Sequence, residues 1–538
     1  MKRVLALILA LVMLAACAGV GGGAADDSAA APAAPAPGAG AAAAPADGED
    51  LPVLRILMPF HSFDMMEDPM TPALRYITGY DFIIENLPSE NPLAALNTII
   101  AAREEFDMIQ LMTDMFRNTV TLGAFQPLDD LLDAYAPNMV RVVDPNAWRF
   151  VTLNNEIMGV PEIINEGQFV FHVMRVRKDM MQEVGIYEVP TTLTGFYDML
   201  VALRDGLDVI PLSYAPQMGA GVLISPFISS AFGVEGNWNY YNGRLVHAVE
   251  HPGMRDYIAF MNQLFVEGLL DDEFPTLTTS VANEKWFSGR SAIHTSSPPD
   301  RPHHEQVLWE TFPDAVIAQI PPLEHNGVSG RQLNDGLARA MVLPRVSRNH
   351  EHSLRFMDLT QAGANHENFT YLNIGVEGIH WYFDENGIRT PVDPTFQEER
   401  GRAAQFNFGV PTPFARQVWV EVRTRRIMPI FYELFEVTNQ TYDMVPVSIN
   451  PLAFMPPIQE FLDNIVMANE FASENLLLFI CNIRPLDEWD DFVEEWRTFY
   501  GGDIVTQALN QWWEAERDVV RPIMLNPVNP FDIFDVRP

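Results

Sequence analysis

Side chains able to do chemistry are plentiful in this 538-residue chain, but few of them stand in a pattern. Asp and Glu total 71 against 34 Lys and Arg, so two carboxylates can be paired almost anywhere, and their abundance is no sign of a glycosidase. A serine hydrolase would show Gly-x-Ser-x-Gly, a zinc peptidase His-Glu-x-x-His, and a nucleotide enzyme a Gly-Lys phosphate loop; none occurs. His303-His304 and His350-x-His352 bring imidazoles together without companion ligands at a sensible spacing. They read as loop histidines on a polar surface. Cys481 lies in the apolar run LLLFICNI and reads as an inert core thiol. No catalytic group, metal site or cofactor is expected.

The thiol whose neighbours do suggest a chemical fate is Cys17. Lys2 and Arg3 precede eleven apolar residues, Val4 to Leu14, a stretch too short to span a bilayer and of secretory type. It ends in Leu14-Ala15-Ala16-Cys17, which resembles the bacterial lipobox, where the cysteine is lipidated and becomes the new N-terminus. Residues 18–50 are rich in Ala, Gly and Pro and too poor in bulky apolar side chains to offset ordering entropy. They are expected to form a disordered linker with a coil span on the order of 30 Å. The protein is thus expected outside the cytoplasm, lipid-anchored to the cell membrane. A formal charge of -37, with Lys2, Lys178 and Lys285 as the whole lysine set, excludes a phosphate backbone as partner.

The remainder must position any binding surface through alternating strands and helices. LPVLRILMPF (51–60) reads as a buried strand and HSFDMMEDPMTP as the loop after it. A helix and a short strand, Phe106 to Met112, follow, ending at Thr113-Asp114. FQPLDDLLDAY is a short amphipathic helix, NEIMGVP turns into another strand, and FVFHVMRVRKDM passes from strand to helix. NWNYYNGRLVHA has the Asn-Gly turn of a hairpin. The last 190 or so residues are mostly helical by pattern, and the alternation before them is that of an α/β protein.

Several blocks, in order, are similar to the extracellular solute-binding proteins of ABC importers, the maltose-binding-like family 1. These are VRKDMMQEVGIYEVPTT (176–192), YIAFMNQLFVEGLLDDEF (257–274), WFSGRSAI (286–293) with Arg290 where Lys is usual, and NHEHSLRFMD (349–358) with His350 in place of Pro. NIGVEGIHWYF (373–383) resembles a segment of the long, LipO-like lipoprotein subgroup. The resemblance implies a type II periplasmic-binding-protein-like fold: two α/β lobes, an interlobe ligand cleft and a helical C-terminal extension. The lobes would comprise residues 52–165 with 333–375, and 166–332 with 376–538. Crossovers would fall near Pro161 to Phe169, Gln332 to Leu337, and Tyr371 to Trp381. Many subgroup members have an Asp-rich loop suited to calcium; RDGLDVIPLS (204–213) keeps only Asp205, Gly206 and Asp208, so no calcium is expected there.

The same resemblance implies which residues face the cleft. Phe63 and Asp64 follow the first strand, Thr113 and Asp114 end another, Glu162 lies at the first crossover, Gln217 precedes a helix of the second lobe, and Ser296 ends a strand. Trp238 and Trp381 are candidate platforms for sugar rings. Trp286 and Phe287 read as core, and Glu377 and His380 as hinge or ligand residues. The implied protein is a monomeric receptor that captures a small solute, an oligosaccharide first of all, and delivers it to ABC permease subunits. A peptide or other solute, and presentation of ligand to a membrane sensor kinase, remain open at this point; a secreted hydrolase lacks any motif.

Overall fold

The computed structural model describes residues 51–143, 145–163, 173–216, 226–296, 301–329, 332–334, 337–360, 366–385, 389–406, 408 and 447–525. Two separate sheets organise them. The first orders its strands Phe82–Asn86, Leu54–Met58, Met108–Met112, Leu337–Val342 and Val160–Ile163. The first three are parallel, and Leu337–Val342 returns antiparallel to both of its neighbours. These strands read as near-continuous apolar runs because both faces are covered. Leu54, Ile56, Met58, Phe82, Ile84, Met108, Val160 and Met341 form one core with Leu74, Leu354 and Phe356 from flanking helices. Leu57, Ile109, Leu111, Ala340 and Val342 point the other way, into a core with Leu96 and Phe116.

The second sheet orders its strands Ile317–Ile320, Val173–Arg177, Ser291–Ser296 and Ile210–Leu212. Val173–Arg177 is antiparallel to both neighbours. Met174, Val176, Leu212, Ile293 and Ile320 enter a large core shared with the C-terminal helices Gln459–Ile480, Trp489–Phe499 and Gly502–Leu525. The helix Leu193–Gly206 joins it through Leu193, Phe196, Met199, Leu200 and Leu203, at the i, i+3, i+4 spacing of one helical face. Thr192 caps that helix, its hydroxyl accepting from the Gly195 N–H at 3.1 Å. The expected hairpin is present as Trp238–Tyr241 and Arg244–His247, with Asn242 (φ 49°) and Gly243 (φ 86°) in the left-handed region that such a turn requires.

The chain leaves the first sheet at Ile163, enters the second at Val173, and returns through Gln332–Asn334 into Leu337–Val342. Gln332–Asn334 pairs in parallel with Val447–Ile449. The third passage is not at Tyr371 to Trp381, as the sequence suggested. Leu372, Ala403, Phe406 and Phe408 lie in the first lobe's core, Tyr371 packs its ring 5.6 Å from Tyr76, and Arg402 bonds Asp68 at 3.1 Å. The described segments between 366 and 408 therefore belong with the first lobe rather than the second. Their apolar side chains complete a core that the strands alone leave open.

Candidate functional site

Strand alternation puts Asn86, Gln110, Met112, Glu162 and Arg339 on one face of the first sheet, the face that carries Met58, Met108, Val160 and Met341 further in. Arg339 stands opposite both Met112 and Glu162 in register. Asn86, Gln110, Glu162 and Arg339 form a polar row toward the C-terminal ends of the parallel strands. That edge faces the second lobe: the chain departs at Ile163 and re-enters at Leu337 beside it. Arg117 Nη2 also donates to Leu452 O at 2.6 Å, and Phe150 packs 5.0 Å from Phe454; both partners adjoin the second core.

Within the row, Gln110 Nε2 donates to Glu162 Oε2 at 3.3 Å, and Arg339 Nη1 stands 3.6 Å from Glu162 Oε1. Burial pushes the Glu162 carboxyl above the usual range, and the Arg339 charge offsets this only in part. His61, in the loop after the first strand, bonds Pro59 O through Nδ1 at 2.8 Å, and Asn86 Nδ2 donates to the same carbonyl at 2.9 Å. Burial pulls His61 below the ordinary imidazole value; the bond to Pro59 opposes this and the Arg339 charge adds to it. Together these groups make a half-dry surface of fixed donors and acceptors, which suits recognition of a polyhydroxylated solute.

Of the residues expected to face the cleft, several gather at this edge. Phe63 is half-buried under the Arg402 guanidinium, 4.3 Å from its ring centroid. Asp64 is exposed and accepts from the Met66 N–H at 2.9 Å, a bond that shapes the loop. Thr113 Oγ1 donates to Leu337 O at 2.6 Å, tying the helix Thr113–Thr119 to the returning strand, and Asp114 is exposed in that helix's first turn. Ser296 ends its strand opposite Val173. Gln217 lies outside the described residues.

The two tryptophan platforms are corrected. Trp238 is 1% exposed, with His247 against its ring at 5.0 Å and Phe461 at 5.9 Å, so it is core. Trp381 is 6% exposed, packs with Ile374 and Phe396, and donates through Nε1 to Gly375 O at 3.2 Å. Hydropathy cannot separate an aromatic that serves a core from one that serves a ligand. Trp286 is fully buried, as expected of a core residue. His380 is also structural: Nδ1 accepts from the Val376 N–H at 2.9 Å and Nε2 meets Glu399 Oε2 at 2.9 Å, while Glu377 is exposed.

Two further readings change. His304 is buried in the helix Arg301–Thr311, and His350 and His352 begin the helix His350–Leu359, where they bond Pro344 O at 2.8 Å and the Tyr80 hydroxyl at 3.0 Å. They are helical and packed, not loop residues. Cys481 is half-buried at the end of its helix, and burial pushes its thiol up to about 11. Asp205 bonds its neighbour Arg204 at 2.7 Å; among the described residues, no group of three or more His, Cys, Asp or Glu is placed to hold a metal. A polar groove of about 640 Å³ lies elsewhere, at Arg244, Arg497, Asp503 and Asn510, and its carboxylate Glu250 is already held by Arg497 at 2.7 Å.

His61, Asn86, Gln110 and Arg339 were not singled out from the sequence. A signal for two of them exists: Gln110 in MIQLM and Arg339 in LARAMV are polar residues inside otherwise apolar strands. A strand buried on both faces tolerates such a residue only where it finds a partner.

No protein-family model matches the chain. It is 30% identical over 260 residues to an uncharacterized protein in the butB 5' region of Niallia circulans, covering 48% of this chain and 98% of that one. It is 22% identical over 493 residues to Lipoprotein LipO of Bacillus subtilis, covering 86% of this chain and 93% of LipO. In structure it resembles the Streptococcus pneumoniae ABC-transporter substrate-binding protein FusA, an EF-hand mutant in complex with fructo-nystose. The TM-score is 0.63 at 17% identity, over 87% of this chain and 100% of FusA.

Proposed function

We propose, from the premise that the chain belongs to the structural family of ABC-transporter extracellular solute-binding proteins, that it is an extracytoplasmic receptor that binds an oligosaccharide between its lobes and presents it to a permease. Its first lobe contributes the polar row, with Phe63, Asp64, Thr113, Asp114 and Glu162 at the same edge. Gln217 and Ser296 are the candidate contacts from the second lobe. The protein acts by capture and lobe closure, with no covalent step. Cys17 is its lipid anchor, and residues 18–50 are the tether. Among the described residues no helix is long and apolar enough to cross a membrane, so attachment in this reading rests on the lipid.

The observation that carries the reading is the polar row at the interlobe edge of a fold shared, over 87% of this chain, with a protein bound to fructo-nystose. A thermal-shift screen of the mature chain against fructo-, manno- and gluco-oligosaccharides and a peptide library tests it. A bound glycan at about 100 times its Kd stabilises by roughly 2.7 kcal/mol, a clear rise in Tm. Shifts from peptides alone, or turnover of any glycan, would defeat the proposal.

A further inference from the structure

We infer that His61 is a hydroxyl-accepting residue of the first lobe, offering Nε2 to the bound saccharide and losing that role when the ring takes up a second proton. The inference rests on the oligosaccharide reading above and adds a residue and a tautomer to it.

Pro59 O can only accept, so the 2.8 Å contact from His61 Nδ1 places the ring proton on Nδ1. Asn86 Nδ2 donates to that carbonyl too, and its 3.1 Å approach to Nδ1 is the spacing of two donors sharing one acceptor. A neutral ring protonated at Nδ1 carries its lone pair on Nε2, which has no partner among the described residues. The ring is half-buried, and its orientation is fixed by Pro59 and by the edge-on Phe63 ring 5.6 Å away. A pinned, half-dry lone pair beside a polar row is an acceptor prepared for a donor the chain itself does not supply.

The charge around the ring keeps it in that form. From the strand Leu337–Val342 the Arg339 charge acts on it, and Glu162 Oε1 stands 3.6 Å from Arg339 Nη1. From Phe82–Asn86 it faces the neutral Asn86, and from its own loop the Phe63 ring. No carboxylate among the described residues bonds it. A second proton would meet the repulsion of the Arg339 charge and would turn the acceptor into a donor. The sugar selects the neutral ring.

The test is calorimetric titration of the mature chain with fructo-nystose, for wild type, H61Q and H61L, from about pH 7.5 to about pH 5. Unfolding curves confirm that each variant folds, and ¹⁵N spectra of the ligand-free ring assign its tautomer. Wild type should bind several-fold more weakly at the acid end. H61L should lose about tenfold at neutral pH. H61Q keeps an acceptor that does not titrate, so it should retain most of the affinity with a flattened pH profile. An Nε2–H tautomer, or H61L binding as wild type does, overturns the inference. If wild type responds to neither fructo-nystose nor the glycan panel, the oligosaccharide reading falls and takes the ligand of this inference with it; a glycan response that is indifferent to His61 defeats the inference alone.

Discussion

Arg339 and Arg175 are both strand arginines facing a glutamate, one in each sheet, and their surroundings differ. Arg339 stands 3.6 Å from Glu162 at an edge that water reaches, with the two side chains 31% and 17% exposed. Arg175 meets Glu305 at 3.1 Å with both side chains fully buried, and its guanidinium lies 5.7 Å from the Trp286 ring. The first pair is loose and lies where a ligand can compete for it. The second fixes the helix Arg301–Thr311 onto the sheet, in surroundings where a lone charge is hardly tolerated. The imidazoles divide the same way. His61 is half-open, while His247 is sealed, stacked 4.6 Å from Trp496 and bonded through Nε2 to Asn469 at 3.1 Å. In these two comparisons the first lobe's group stands at an open edge and the second lobe's in a closed core.

The sharpest way to break this contrast is Arg175→Met, which leaves Glu305 buried without its cation. It should cost about 3–5 kcal/mol of stability, read as a large fall in the urea midpoint. A loss below about 1 kcal/mol would put the two arginines in one class.

The next effect is a pH dependence. Burial lowers His247 from 6.5 to about 4 in the folded protein, against the opposing effect of the Asn469 bond. The unfolded chain therefore takes up this proton first as pH falls. The stability it contributes is complete above about pH 6.5 and lost progressively towards pH 4, by roughly 3 kcal/mol. Unfolding curves across that range should show the loss in wild type, and His247→Gln should reduce the slope. The smallest effect belongs to the first lobe. Arg339→Gln should change stability by no more than about 1 kcal/mol, while weakening glycan binding in the same preparation.

Much of the fold was legible in local patterns. Apolar runs such as LRILM and MIQLM are the buried parallel strands, and the Asn242-Gly243 turn is where its residues require. The third passage was misplaced because Ile374 and Trp381 look the same in sequence whichever lobe they complete; only the distant Phe396, Phe406 and Phe408 decide it. The site was legible at strand ends, through Thr113 and Glu162. Its inner members were not, since Asn86, Gln110 and Arg339 come to one face only when strands far apart in sequence are set in register.

The parallel pairing of Gln332–Asn334 with Val447–Ile449 has a mechanical meaning. Two separate tethers would let one lobe twist and slide as well as swing. Rungs between them make independent twisting cost ladder hydrogen bonds, at about 1 kcal/mol each. Both segments must then bend together, as one torsion bar, and the relative travel of the sheets reduces toward a single axis. In the receptor reading proposed above, a jaw with one axis would meet its cargo at the same angle on every closure, which is what a row of fixed donors and acceptors needs.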